Sequence, residues 1–237
     1  GSLAGICLVV LPVALVLRPL LPARVGRTVG RHLITGALRA FVGVLTAFCG
    51  CRIELSGLEA LRAAGPLVIA PNHPALLDAI VLLSRLPDAV CVMKASVMDN
   101  LLFGAVTRLA GYIRNDGQAT QIMGQSRDAL RGGAQLLLFP EGTRTTQAPV
   151  NALQPIVALI AKRAAVPVQT VFIEYSSPYL GKRWPLFRPP QLPLTCRVRL
   201  GRRFEPPAGA TAFTAQLQAY FRDHLAASAA GPTAAPE

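Results

Sequence analysis

The chain has 237 residues, enough for one substantial domain with a buried core. Apolar residues make up 52% and charged residues only 15%, and the mean hydropathy is +0.43, which indicates contact with a membrane or a lipid. The net charge of +12 comes almost entirely from arginine and favours anionic partners. Because aromatic residues are few and no basic run is interleaved with them, the composition argues against nucleic-acid binding.

The apolar run at residues 3–17 (LAGICLVVLPVALVL) carries no charge and is followed by a basic stretch. A membrane-spanning helix needs about 20 apolar residues, so this shorter run predicts an inserted or re-entrant helix. The arginines at 18, 24, 27, 31 and 39 are then expected at the headgroup level, where they mark the cytoplasmic side. A cleaved signal peptide is disfavoured, because no positive charge precedes the run and no small-residue cleavage site follows it.

A second apolar stretch at residues 34–50 is interrupted by Arg39 and predicts an amphipathic, interfacial helix. Residues 1–50 are therefore expected to form a membrane-associated helical segment. The alternative is that both helices pack into a soluble core.

Strand-like and helix-like segments alternate from residue 52 onward. Strands are predicted at the start of RIELSGLEAL, at 67–70, in AVCVMKA, at the start of AQLLLFPEGTR, in VPVQTVFIEY and in TCRVRLGRRFEPP. Helices are predicted in PALLDAIVLLSRL, NLLFGAVTRLAG, QIMGQSRDALRGG, NALQPIVALIAKRAA and TAFTAQLQAYFRDHLAAS. This order predicts an α/β fold, a mixed and mainly parallel sheet flanked by helices, over residues 51–228. Residues 229–237 are predicted to be a disordered tail.

The five cysteines, at 7, 49, 51, 91 and 196, are odd in number and typical of free thiols in a reducing compartment. The Cys-x-Cys pair at 49–51 has no second pair and no nearby histidine, so it does not predict a metal site. Nucleophile elbows, phosphate-binding loops and dinucleotide fingerprints are missing from the sequence.

Two loops that follow short buried strands remain as candidates for chemistry. Ligands of open α/β sheets bind at the carboxyl ends of the strands, where such loops lie. The first loop holds Asn72, His73 and Asp78. An aspartate that accepts from one imidazole nitrogen fixes the tautomer and makes the other nitrogen a stronger base. The spacing H-x-x-x-x-D is common by chance, however, and by itself also fits a capping histidine with an unrelated surface aspartate.

The second loop, FPEGTR, places Glu141 and Arg144 in a turn directly after an apolar run. Gly142 would let backbone N–H groups approach a ligand closely, and an arginine can bind phosphate through two hydrogen bonds.

Taken together and in this order, NHPALLD and FPEGTR resemble the first and third signature blocks of the glycerolipid (lysophospholipid) acyltransferases. The best-known members of that family are the 1-acylglycerol-3-phosphate acyltransferases. Lys94 in VMKASV, the LAGYI run before Asp116 and AAVPVQTVFI around Pro167 add to the resemblance, which covers roughly residues 50–205.

The resemblance implies an acyl transfer without a covalent acyl-enzyme. His73 would deprotonate an acceptor hydroxyl and Asp78 would orient the imidazole, and the hydroxyl would attack the thioester of acyl-CoA or an acyl-carrier protein. Asn72, Lys94, Arg114, Glu141, Gly142, Thr143 and Arg144 are expected to bind substrate. The acceptor is expected to be a lysolipid at the cytoplasmic face of an inner membrane, in contact with membrane phospholipid, and no metal or organic cofactor is required. A thioesterase and a non-catalytic membrane-binding protein are the alternatives.

One departure from the family pattern concerns the acceptor. The second block of the lysophosphatidate enzymes reads like Gly-x-x-Phe-Ile-Asp-Arg, whereas this sequence reads GYIRNDG. The alignment places Gly117 at the position of the phosphate-binding arginine and Arg114 at that of an aromatic residue. The acceptor is therefore either lysophosphatidate or another lipid, such as an amino-acid lipid or a carrier-bound polyene.

Overall fold

The computed structural model describes residues 2–185 and 188–229. Within these residues the strands are Cys51–Ser56 (β1), Val68–Pro71 (β2), Ala89–Met93 (β3), Ile113–Arg114 (β4), Gln135–Leu137 (β5), Val168–Tyr175 (β6) and Leu194–Phe204 (β7). The helices are Ser2–Leu20 (α1), Ala23–Phe48 (α2), Asp78–Leu83 (α3), Ala95–Met98 (α4), Leu101–Leu109 (α5), Ala119–Arg131 (α6), Ile156–Ala164 (α7) and Ala210–Ala229 (α8). A 3₁₀ turn at Leu58–Ala63 follows β1.

All of the strands belong to one sheet with the order β1-β7-β6-β2-β5-β3-β4. The pairings from β6 through β2, β5 and β3 to β4 are parallel, whereas β7 is antiparallel to β6 and pairs parallel with β1. The predicted mixed, mainly parallel sheet is therefore confirmed. The carboxyl ends of five strands meet at one edge, and both candidate loops leave the sheet there.

The central strands are largely apolar because helices cover both faces of the sheet. Each residue of β2 and β5 is buried, and so are the first six residues of β6. Helices α6, α7 and α8 pack side by side in sequence order, and α2 packs on α3 and α5. These strands form a rigid base for the loops at their carboxyl ends.

Helix α2 begins at Ala23, well before residue 34, where the sequence predicted the second apolar helix to begin. The extra turns are stabilised by a buried stripe of Gly26, Gly30 and Ile34, which recur at helical spacing. Glycine is needed at position 30, because an added Cβ would lie 2.6 Å from the backbone nitrogen of Ala110.

Two of the arginines expected at the membrane surface contact protein carbonyl groups instead. Arg31 donates from Nε to the carbonyl oxygen of Ala110 at 3.2 Å, and Arg39 donates to that of Ser84 at 3.4 Å. Both contacts fasten α2 to the domain that carries the candidate loops.

The helix predicted over residues 74–86 is shorter in the structure and begins only at Asp78. The preceding residues form a turn, because the Ala75 N–H donates to Oδ2 of Asp78 at 2.9 Å. The sequence also missed α4 and the two-residue strand β4, which are too short to show a periodic pattern.

Helix α1 has 19 residues and a mean hydropathy of 2.3, and only 11% of its most apolar window is buried. By length and composition it could cross a membrane. Its exposed apolar side chains include Val9 at 71% and Leu20 at 70% exposure, while the opposite side packs on α2 and α5. A lipid environment would cover this face.

We expect Gly30→Ala to destabilise the fold by about 1–3 kcal/mol, because the added methyl group must push α2 away from the backbone of Ala110. Gly36→Ala in the same helix is the matched control, since nothing lies within 4 Å of its Cβ position. The control should stabilise the protein by about 0.5–1 kcal/mol through helix propensity. Denaturant unfolding of both variants in detergent measures the difference, and equal stabilities would contradict this account of the α2 packing.

Candidate active site

The imidazole of His73 and the carboxylate of Asp78 form a direct pair, with Nδ1 2.7 Å from Oδ2. The Asp78 side chain is completely buried, whereas that of His73 is 17% exposed. Burial raises the pKa of Asp78, and hydrogen bonds from His73, the Ala75 N–H and Tyr175 act in the opposite direction. In the part of the chain that the structure describes, Nε2 of His73 has no hydrogen-bond partner. The pair therefore has the geometry of a base oriented by a carboxylate.

Tyr175 completes the arrangement and was not found by sequence reasoning. It lies at the end of β6, next to β2 in the sheet, and its hydroxyl donates to Oδ1 of Asp78 at 2.8 Å. Burial, followed by the charge of Asp78, raises the pKa of Tyr175 far above its ordinary value, so it stays a hydrogen-bond donor. Its position at the carboxyl end of a parallel strand was the only available signal in the sequence.

The ring of Phe139 stacks on the imidazole of His73, with a centroid distance of 3.9 Å and an interplanar angle of 22°. Phe139 follows β5, the neighbour of β2 on the other side, and is buried. The stacked ring of Phe139 fixes the plane of the imidazole, and the hydrogen bond to Asp78 fixes the rotation of the imidazole within that plane.

Glu141 joins the two candidate loops to each other. Its Oε1 accepts from the His73 backbone N–H at 2.8 Å and from the Thr145 hydroxyl at 2.9 Å, and its Oε2 accepts from the Asn151 N–H at 2.9 Å. The Thr145 N–H in turn donates to the His73 carbonyl oxygen at 2.7 Å. The sequence placed Glu141 on the acceptor side, but the structure turns its buried carboxylate toward the protein backbone.

Asn72 was expected to bind substrate, and the structure gives its side chain another partner. The amide Nδ2 donates to the carbonyl oxygen of Ile173 at 2.9 Å, and Oδ1 accepts from the Ile173 N–H at 2.7 Å. Asn72 is buried and follows β2 directly. Its side chain thus extends the pairing between β2 and β6 by one position and holds the start of the His73 loop.

Arg144 lies at the open side of the second loop. Its Nη1 donates to the carbonyl oxygens of Leu180 at 2.9 Å and Gly181 at 3.2 Å, and no described carboxylate lies within 4 Å. Gly142 and Thr143 before it are exposed, and Gly142 takes the left-handed φ of +66° that glycine permits. The loop therefore presents an arginine whose guanidinium is not paired with any described carboxylate.

The two outer parallel strands, β3 and β4, each carry a predicted cation at their carboxyl end. Lys94 directly follows β3, and Arg114 is the last residue of β4. Lys94 is exposed at the end of β3, and within residues 2–185 and 188–229 it forms no ion pair. Arg114 at the end of β4 differs, because Asp99 and Asp116 both bind its guanidinium. The structure therefore places all of the predicted site residues at one edge of the sheet, but among them only His73, Asp78 and Glu141 are joined directly by side-chain hydrogen bonds in the described ranges.

Comparisons with known proteins show which family and fold this chain resembles. The model of the family described as Acyltransferase matches residues 52–174, which include both loops. Human 1-acyl-sn-glycerol-3-phosphate acyltransferase beta is 30% identical over 168 residues, a match covering 67% of this chain and 58% of the human protein. The crystal structure of the 1-acyl-sn-glycerophosphate (LPA) acyltransferase PlsC from Thermotoga maritima has a similar fold. The two superpose with a TM-score of 0.69 at 16% identity, and the match covers 86% of this chain and 83% of that one.

We expect Tyr175→Phe to lower activity about tenfold, because Asp78 loses a donor to its charged form. Loss of that hydrogen bond raises the pKa of Asp78 further, so the acid limb of the profile of kcat/KM against pH should move to higher pH. Tyr220→Phe is the matched control, since its hydroxyl oxygen accepts from the Arg202 N–H on another side of the sheet. Superimposable pH profiles for Tyr175→Phe and the unchanged protein would rule out this role.

Proposed function

Since this chain belongs to the acyltransferase family, whose model matches more than half of its length, we propose that it transfers a fatty acyl group from a thioester to the hydroxyl of a lysolipid. The observation that carries the proposal is the His73–Asp78–Tyr175 chain of hydrogen bonds beneath an open Nε2. The donor is acyl-CoA or an acyl-carrier protein, and the acceptor is a glycerolipid with one free hydroxyl.

In the proposed reaction, Nε2 of His73 accepts the proton of the acceptor hydroxyl while the oxygen attacks the thioester carbonyl carbon. The tetrahedral intermediate collapses as the carbon–sulfur bond breaks, and the protonated imidazole returns the proton to the departing thiolate. The products are an ester and a free thiol, so protons and electrons balance without a covalent enzyme intermediate. The carboxylate of Asp78, held at 2.7 Å, stabilises the imidazolium that forms between the two steps.

Cations at the carboxyl edge of the sheet are proposed to bind the phosphate groups of the substrates. Arg144 keeps most of its guanidinium N–H groups free, since only Nη1 is bound to the protein in the described ranges. Lys94 is an exposed cation after β3. The loop turns at Gly142, which has a left-handed φ of +66°, and backbone N–H groups of this exposed loop would stabilise the oxyanion of the intermediate.

Membrane attachment is proposed to occur through residues 1–50, with residues 51–228 as the acyltransferase domain. The apolar face of α1 supports this, because a helix of 19 residues is about 28 Å long, close to the thickness of the hydrocarbon core. Arg18 and Arg24 near the junction of α1 and α2 would contact anionic headgroups. We propose the cytoplasmic face of an inner membrane as the location.

Replacing His73 by alanine should lower acyl transfer by about 10²–10⁴-fold, because no other base then accepts the hydroxyl proton. The measurement is mass spectrometry of products formed from labelled acyl thioester and a lysolipid panel. His32→Ala is the control, since His32 is an exposed histidine on α2 whose Nδ1 lies 2.9 Å from the Thr28 carbonyl oxygen of the same helix. Undiminished transfer by His73→Ala would exclude the assigned role, and free fatty acid as the only product would identify a thioesterase.

Arg144→Ala should raise the acceptor KM about tenfold with a smaller effect on kcat, because a charge-assisted contact made in both ground and transition states is lost. Steady-state kinetics with purified enzyme in mixed micelles would measure both parameters. Arg127→Ala is a suitable control, since Arg127 is a half-buried arginine on α6 that pairs with Asp128. Unchanged kinetics in Arg144→Ala would remove this residue from the acceptor site.

A further inference from the structure

A small cavity of about 230 Å³ lies beside the end of β4, separate from the His73 loops. The cavity is lined by polar side chains and by Gly117, Met98 and Ile122; the polar side chains are Tyr112, Arg114, Asp116, Gln121 and Gln125. Sites for drug-sized ligands have volumes of about 300–1,000 Å³, so this cavity, named here the Arg114 cavity, suits one headgroup and not an acyl chain.

The positive charge of Arg114 is already used within the protein. Nε and Nη2 donate to Asp116 at 3.1 and 2.8 Å, and Nη1 and Nη2 donate to Asp99 at 2.5 and 3.1 Å. A guanidinium has five N–H groups, so these four bonds leave one. One arginine and two ionised aspartates carry a net charge of −1, and pairing with Arg114 lowers the pKa of Asp116, which keeps that carboxylate ionised.

The charge of the cavity is unsuited to a phosphate monoester. A phosphate dianion that bound Arg114 would have to displace Asp116, which lines the cavity, and Asp99, which binds the same guanidinium. Such an approach is strongly unfavourable, because the charges are alike. Each carboxylate offers about four lone-pair sites, of which two accept from Arg114 here. The remaining sites can accept from an ammonium group, and the amides of Gln121 and Gln125 can bond to neutral atoms around it.

The sheet order sets how far the cavity lies from the catalytic pair. Strand β4 is three strand positions from β2, which corresponds to about 14 Å between their backbones. Lys94 lies between the two, since it follows Met93, the residue of β3 that pairs with Arg114. An acceptor with its hydroxyl at His73 and its phosphate near Lys94 or Arg144 would place only the outer end of its headgroup in the cavity.

On the basis of the acyl transfer described under Proposed function, we propose that the Arg114 cavity binds the ammonium end of a zwitterionic lysolipid headgroup. Asp99 and Asp116 are then the residues that determine specificity, and they select against an acceptor whose headgroup ends in a phosphate monoester. Gly117 contributes to this selectivity because it has no side chain, so the cavity lacks the second cation that an arginine at this position would supply.

The acceptor preference is tested with two lysolipids that have the same acyl chain and the same free hydroxyl, lysophosphatidate and lysophosphatidylethanolamine. We expect kcat/KM to be at least about tenfold higher for the ethanolamine lipid, a difference of about 1.4 kcal/mol. A preference for lysophosphatidate would overturn the proposal.

The double substitution D99N/D116N should shift the ratio of the two kcat/KM values toward lysophosphatidate by about tenfold, because Arg114 regains an unpaired charge. The double substitution E59Q/D128N is the matched control, since it removes two carboxylates from ion pairs elsewhere on the surface and should leave the ratio unchanged.

The substitution Gly117→Arg adds a cation to the lining of the cavity and should shift the ratio in the same direction as D99N/D116N. The substitution is feasible, because its Cβ would meet only the flexible end of Gln121, at 3.0 Å. Ratios unchanged in both D99N/D116N and Gly117→Arg would also overturn the proposal.

A binding measurement separates this proposal from the proposed reaction. Calorimetric titration of the His73→Ala variant with short-chain forms of both lysolipids reports affinity without turnover. Tighter binding of the ethanolamine lipid, reversed by D99N/D116N, supports the cavity assignment even if no thioester is ever consumed. Equal or weaker binding of that lipid argues against the assignment even if acyl transfer occurs.

Discussion

The buried carboxylate of Asp78 is the group on which the rest of the site depends. An isolated carboxylate in the interior would be neutralised or expelled, because desolvation of the charged form costs several kcal/mol. Here its oxygens accept from the imidazole of His73, the Ala75 N–H and the hydroxyl of Tyr175. The first two donors lie in the loop after β2 and the third lies at the end of β6. The charge can remain buried only while these segments keep their positions, so the fold and the chemistry depend on the same hydrogen bonds.

The polar residues of the two motifs divide into those proposed to act on the substrate and those whose side chains bind the protein backbone. Asn72 binds the backbone of β6 and Glu141 binds the backbone at His73, so both positions need an acceptor of defined geometry for structural reasons. Glu141 is buried, which raises its pKa, while three donors stabilise the charged form. Their positions resemble those of substrate ligands in sequence, but their contacts are those of a scaffold that places the imidazole within a narrow range of orientations.

Much of the site could be predicted from the sequence because its main parts are local. His73 and Asp78 are five residues apart, and the two loops follow strands whose apolar character was evident. Tyr175 could not be predicted, since it lies 97 residues from Asp78 and meets it only because β6 pairs with β2. The early start of α2 was also hidden, because Gly26 and Gly30 lower helix propensity and the polarity of the segment gives no sign of the packing against Ala110.

The two arginines predicted to bind substrate show how surroundings override residue type. Among the described residues, the guanidinium of Arg144 bonds only to carbonyl oxygens, so its charge remains available to an anion. The charge of Arg114 is more than balanced by Asp99 and Asp116. Neither result follows from the motif itself, because Asp99 lies 15 residues before Arg114 and meets it through the pairing of β3 with β4. The proposed reaction needs the His73–Asp78 pair, a thioester and an acceptor hydroxyl, and none of these involves the headgroup of the acceptor. Acceptor choice can therefore be altered at the outer strand without disturbing the base, since the two sites share the sheet edge but no hydrogen bond among the residues described.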